Sequence, residues 1–190
     1  MGEQKVQSQS DAEQLRAFVR HVLRDLRAME QMLLADAFEV DPIRIGAEQE
    51  FFLVDEGWRP LSVSEKVLAD CKHMSVTPEL ARFNIELNAP PYSLGGTCLS
   101  ELEDFLTDGT AKLRLASAKH GAKLVMCGIL PTLTPADLDL SNMVDSPRYN
   151  AFNDALKRLR GGGYQFRIKG TDELSMSHDS VMIEACNTSF

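Results

Sequence analysis

Ile45-Gly46-Ala47-Glu48-Gln49-Glu50-Phe51-Phe52-Leu53-Val54-Asp55 decides how this 190-residue chain is read. Apart from Gln49, side chains alternate along it with a period of two, as in a strand with two unlike faces. Ile43, Ile45, Ala47, Phe51 and Leu53 fall on one face, and Arg44, Gly46, Glu48, Glu50 and Phe52 on the other. The strand is expected over 43–55, opened by Asp41-Pro42 and closed by a turn at Glu56-Gly57. Glu48 and Glu50 would leave the same face about 6.5–7 Å apart. Like charges at that range need solvent, a basic partner or a divalent cation to offset their repulsion. By spacing alone, the pair fits an ordinary solvated face. It also fits a magnesium site in which carboxylates share the ion with waters and nucleotide phosphates. The carboxyl pair of a glycosidase is a third possibility. It ranks low, because neighbours on one strand rarely flank a scissile bond from opposite sides.

Downstream, Arg82 to Asn88 alternates again, with Phe83, Ile85 and Leu87 against Arg82, Asn84, Glu86 and Asn88. Glu86 is therefore a third candidate ligand. Ala89-Pro90-Pro91 ends this strand. Ser100 and Glu103 form a capping box for a helix running to about His120, with Gly121 as its C-cap. Lys123 to Leu130 is expected as a short apolar strand, and Pro131 to Ser146 as loop. Ser146-Pro147 pairs an N-cap with a first-turn proline, opening a helix over 148–159. Gly161-Gly162-Gly163 breaks it. This run lacks the following Lys-Ser/Thr of a phosphate-binding P-loop and is read as a flexible connector. Ser180 to Phe190 is expected as a final strand containing Glu184.

Upstream, residues 1–10 are expected as a disordered tail. A capping box of Ser10 and Glu13 opens a helix that ends near Ala35. Its stripe of Leu15, Phe18, Val19, Val22, Leu23, Leu26, Met29 and Leu33 is expected to pack against the domain. Residues 60–80 give no clear element. The resulting order is α-β-β-α-β-α-β. Alternating strands and helices suggest a doubly wound parallel sheet, but strands buried on both faces should be nearly all apolar. The wet acidic faces favour an α+β fold instead. Its largely antiparallel, curved sheet would carry helices on the outer side and a solvent-filled site on the other. The net charge is 20 − 28 = −8, which argues against a nucleic-acid or anionic-membrane surface. Cys71, Cys98, Cys127 and Cys186 are too widely spaced for a CxxC and are read as reduced cytosolic thiols. No apolar leader segment and no membrane-spanning run is present, so the expected location is the cytoplasm. His21, His73, His120 and His178 are read as structural or surface residues.

Several segments in order carry a resemblance. Gly46 to Glu50 is similar to the G-x-E-x-E strand of the glutamate–cysteine ligase family, in its type 2 carboxylate–amine ligase branch. Arg82 to Leu87 resembles that family's second acidic strand, and Gly128-Ile129-Leu130-Pro131 its glycine–x–x–proline turn. Pro147-Arg148-Tyr149-Asn150 resembles its arginine–tyrosine helix start, and Cys186 to Phe190 the beginning of a further strand. Together they cover roughly residues 40–190. The resemblance implies a glutamine-synthetase-like catalytic core, of which residues 11–190 would be the N-terminal part of a single domain. It also implies ATP and magnesium. The γ-carboxylate of glutamate would be activated as an acyl phosphate and then taken by an amine, most simply that of cysteine. Glu48, Glu50 and Glu86 would be metal ligands, and Arg148 and Tyr149 substrate-binding residues, with Arg148 assigned a catalytic role. The fragment alone would turn over slowly or not at all. The competing expectation is a non-catalytic module that keeps the fold and binds a ligand or partner.

Overall fold

A computed structural model of the chain describes residues 12–161, 163–178, 180–186 and 188. The expected tail at 1–10 and Gly162 lie outside the described residues. In chain order the elements are α1 (Ala12–Leu34), β1 (Arg44–Ile45), β2 (Glu48–Val54), α2 (Ser64–Asp70), β3 (Val76–Pro78), β4 (Asn84–Asn88), β5 (Tyr92–Ser93), α3 (Cys98–Ala118), β6 (Lys123–Val125), α4 (Pro147–Arg160), β7 (Tyr164–Lys169) and β8 (Glu173–His178). Three 3-10 turns, Pro135–Leu138, Leu140–Asn142 and Val181–Cys186, complete the set.

The central sheet has the order β3-β4-β2-β6, and every neighbouring pair in it is antiparallel. The fold is therefore α+β, as the mixed strand faces imply. The expected strand 43–55 is split. β1 pairs with β5 as a separate two-stranded ribbon, and Gly46-Ala47 interrupts the run before β2.

Period-two patterning builds the core. Phe51, Leu53, Ile85 and Leu87 face α2 and α3, meeting Val67, Cys71, Leu113 and Ala116. Gly109 permits the close approach of α3, because a Cβ there would lie 2.6 Å from Leu87 Cδ2. On the opposite face Phe52 and Val54 are buried with Phe83, Leu130, Leu138, Val181 and Met182. The rings of Phe52 and Phe83 stack at 6.4 Å. This corrects two expectations. The acidic face is wet only at the Glu48 end of β2, since its Phe52–Val54 end is covered. Phe83 packs on that face rather than beside Ile85, because the chain is still turning before β4 begins.

The covering comes from segments without helical or strand periodicity. Arg59 donates to the Thr132 carbonyl oxygen and pairs with Asp137 at 2.8 Å, pinning the proline-rich loop. Asp137 also accepts from Thr134 N at 2.7 Å. The expected strand at 180–190 is corrected to the turn Val181–Cys186; residues 187, 189 and 190 lie outside the described residues. Val181 and Met182 are both buried in this turn, and Val181 N donates to Asn153 Oδ1 at 3.0 Å.

α3 begins at Cys98, two residues before the expected start, and Thr97 Oγ1 meets Glu101 at 2.6 Å. β6 is only Lys123–Val125, because the chain turns away to bury Leu130. α4 has the expected Ser146 N-cap position and ends at Gly161, whose φ of 66° suits glycine. α2, β3 and the β7–β8 hairpin were not legible as elements. The stripe of α1 is the largest correction: no α1 residue is buried.

Candidate metal and substrate site

Glu50 on β2 stands directly opposite Glu86 on β4. Like charges in such a pair ordinarily destabilise a sheet. β3 is an edge strand, where Pro78 is tolerated because no ladder donor is needed on the open side. Thr77 of β3 pairs with Glu86. Glu79, two residues further, leaves the same face. The result is a half-buried group of Glu50, Glu79 and Glu86, with one carboxylate oxygen of each within 4.8 Å of the others. Thr77 Oγ1 lies 3.4 Å from Glu86 Oε2.

The crowding shows in the proton affinity of Glu79, which is pushed up to about 8. Burial is the largest cause, followed by the hydrogen bond to Glu86 and the charges of Glu86 and Glu50; a Leu80 backbone hydrogen bond opposes them. Without a cation, the group thus relieves itself by holding a proton between Glu79 and Glu86. The donor set also suits magnesium, a hard ion that takes oxygen ligands at about 2.0–2.1 Å. Octahedral geometry at that radius puts ligand oxygens roughly 3–4 Å apart. Small side-chain adjustments would bring these three oxygens into that range.

A cavity of about 330 Å³ adjoins the group, lined by Glu50, Glu79, Asn84, Glu184 and Thr188. Asn84 is buried; its Nδ2 donates to Ala185 O at 3.4 Å, while Oδ1 has no partner among the described residues. Such an orphaned acceptor at a cavity wall is an unused binding position. Thr188 N donates to Gly128 O at 3.0 Å, and Thr188 Oγ1 donates to Cys127 O. The two distant segments around Gly128 and Thr188 therefore meet beside the site.

The expected residues are distributed unevenly. Glu50 and Glu86 come together. Glu48, opposite Asn88, is exposed and lies outside the group of three. Tyr149, on the first turn of α4, reaches the edge strand through Tyr149 Oη to Pro78 O at 3.3 Å. Its hydroxyl is pushed up to about 12 by burial first and then by the charge of Glu79; Glu86 and Glu50 add to this and Arg148 opposes it. Tyr149 thus sits within electrostatic reach of the carboxylates, and Arg148 within reach of Tyr149.

Glu79 and Glu184 carry no ligand assignment in the sequence reading. Glu79 falls in the unassigned stretch 60–80. Recognising Val76–Pro78 as the partner of β4 would have placed it, because period two then puts Thr77 and Glu79 on the face of Glu86. Glu184 is exposed on a 3-10 turn, where strand alternation gives no guide to its direction.

The comparisons with known proteins bear on this geometry. A family model described as glutamate-cysteine ligase family 2 matches residues 44–182. That stretch contains Glu50, Glu79, Glu86, Arg148 and Tyr149. A protein of Archaeoglobus fulgidus described as uncharacterized is 30% identical over 131 residues, 63% of this chain and 34% of its own length. The match thus spans about a third of that relative. No solved structure matches the chain.

Proposed function

The chain belongs to glutamate–cysteine ligase family 2, and on that premise we propose that its parent protein is an ATP- and magnesium-dependent carboxylate–amine ligase. It joins the γ-carboxylate of glutamate to an amine, with cysteine as the leading candidate. The observation that carries this reading is the convergence of Glu50, Glu79 and Glu86 beside a cavity.

In this reading Glu50, Glu79 and Glu86 hold the cation, and Glu48, two residues along the same face, is kept as a further ligand. Magnesium, when bound, supplies charge neutralisation and a template for the phosphate oxygens. Glu79 would have to be ionised to serve as a ligand, since metal ligation requires the deprotonated carboxylate. Arg148 takes a substrate carboxylate as a charge-assisted pair. Tyr149, held to Pro78, fixes the start of α4 and so the position of Arg148. Asn84 Oδ1 accepts from a substrate N–H. The dry layer of Phe52, Leu80 and Ala185 beneath the carboxylates strengthens each of these polar contacts by lowering the local dielectric. The γ-carboxylate of glutamate attacks the γ-phosphorus of ATP, and ADP leaves. The amine then attacks the acyl carbon, phosphate departs and the amine proton is released.

The test is ADP release by the full-length protein with glutamate, magnesium and a panel of amines. Glu50→Gln and Glu86→Gln keep size and remove charge. The expected outcome is turnover with cysteine in wild type and at least a hundredfold loss in both variants, a typical scale for removing an electrostatic catalytic group. No glutamate-dependent ADP release from folded wild type with any amine would sink the proposal.

A further inference from the structure

α1 is a 23-residue helix with no buried residue. Phe18 is 64% and Leu33 63% exposed, and Leu15, Val19, Val22, Leu26 and Met29 are exposed with them. The helix also precedes residues 44–182, the stretch matched to the ligase family. Burying such a stripe is strongly favourable, because each large apolar side chain gains by leaving water.

The pattern says what kind of surface covers it. Leu15, Val19, Val22, Leu26, Met29 and Leu33 recur at alternating steps of four and three. A period of 3.5 keeps a seam facing a second helix in a left-handed coiled coil. With Val19, Leu26 and Leu33 at a positions and Leu15, Val22 and Met29 at d, no seam position is polar.

Flanking charges choose the partner. When two copies of α1 run antiparallel and centred, Val19 layers on Met29, Val22 on Leu26 and Leu15 on Leu33. Arg16 then flanks Glu30 of the second copy at both ends, Phe18 flanks Met32, and Asp25 faces its own copy once. A parallel pair would instead set Asp25 beside Glu30 twice. We propose that α1 is the dimerisation element of this protein, pairing antiparallel with α1 of a second copy. An anionic lipid surface is disfavoured, because the helix balances four arginines against Glu13, Asp25 and Glu30.

The experiment is sedimentation equilibrium of the full-length protein. Wild type is expected to be a dimer. Val22→Glu/Leu26→Glu changes only exposed residues, so circular dichroism should stay unchanged while dimer affinity falls at least a hundredfold. Glu30→Arg should weaken the antiparallel pair about tenfold, and Arg16→Glu/Glu30→Arg should restore it. A parallel pair would be strengthened by Glu30→Arg, which would overturn the assigned orientation. A wild-type monomer, a dimer that survives Val22→Glu/Leu26→Glu, or a monomer that sediments with phosphatidylserine vesicles would each overturn the dimer.

Discussion

Replacing Glu86 by Gln should stabilise the metal-free protein, and by an amount that grows with pH. The sign follows from Glu79. Its proton affinity in the folded state lies at about 8, above the ordinary 4.5. The folded state therefore holds a proton that the unfolded state has lost between those values. Wild-type stability from this group is full below about 4.5 and declines as pH rises through about 8. Above that, Glu50, Glu79 and Glu86 are all charged within 4.8 Å. One pair of unit charges at that distance repels by about 0.9 kcal/mol at the dielectric of water and about 3.5 kcal/mol at an effective dielectric of 20. The groups are half-buried, so the lower figure is the safer guide. Glu86→Gln removes two such pairs at pH 9, a gain of about 2 kcal/mol. Near pH 6 the proton on Glu79 already relieves one of the two pairs that Glu86 makes. The substitution there also weakens a charge-assisted hydrogen bond, so the two versions should nearly coincide. Urea unfolding at pH 6 and 9 in chelator reads the difference. Equal midpoints at pH 9, or a less stable variant there, would refute the reasoning.

Other perturbations separate the roles of the remaining residues. Isothermal titration with magnesium should show at least tenfold weaker binding for Glu50→Gln than for Glu48→Gln, because only Glu50 belongs to the convergent group; equal losses would move the ion outward along β2. Gly109→Ala gains about 1 kcal/mol of helix propensity but drives a methyl to 2.6 Å from Leu87 Cδ2. Overpacking of this kind typically outweighs that gain, at about 1–3 kcal/mol. A net loss rescued by adding Leu87→Val is the expected thermal-melt result. Arg59→Ala removes the tie to Thr132 and Asp137 and should cost about 1–2 kcal/mol, a charged hydrogen-bond network's usual worth. Hydrogen exchange should then quicken across 131–146, while exchange in α3 stays unchanged.

The legible parts were those in which one local rule decided the outcome. Period two placed β2 and β4 and brought Glu50 and Glu86 to one face. Ser146-Pro147 and Gly161 bounded α4. The illegible parts depend on partners distant in sequence. β3 is three residues long and carries a proline, so only its pairing with β4 identifies it, and Glu79 went unseen with it. The segment at 181–186 reads as apolar enough for a strand, yet it folds as a 3-10 turn because Asn153 and the floor around Phe52 capture it. The α1 stripe is a correct helical pattern that no described residue covers, since amphipathicity records that a face is suited to burial and not what buries it.

The energetics of the carboxylate group argue for a functional rather than a structural origin. Nothing in the sheet requires acids there. A cross-strand pair at the positions of Glu50 and Glu86 would gain from opposite charge or from apolar contact, and the same two strands use apolar pairing one step away at Phe51 and Ile85. Adding Glu79 makes the local cost larger, as its displaced proton affinity records. A cation reverses the sign of every one of these contributions. Where local choices oppose folding together, and one bound species would convert them all to attraction, a binding site is the economical account. On that account the group should be worse for folding than its apolar neighbours without magnesium and better than its own Gln variants with it. The Glu86→Gln series can register both halves of that inversion in one set of unfolding curves.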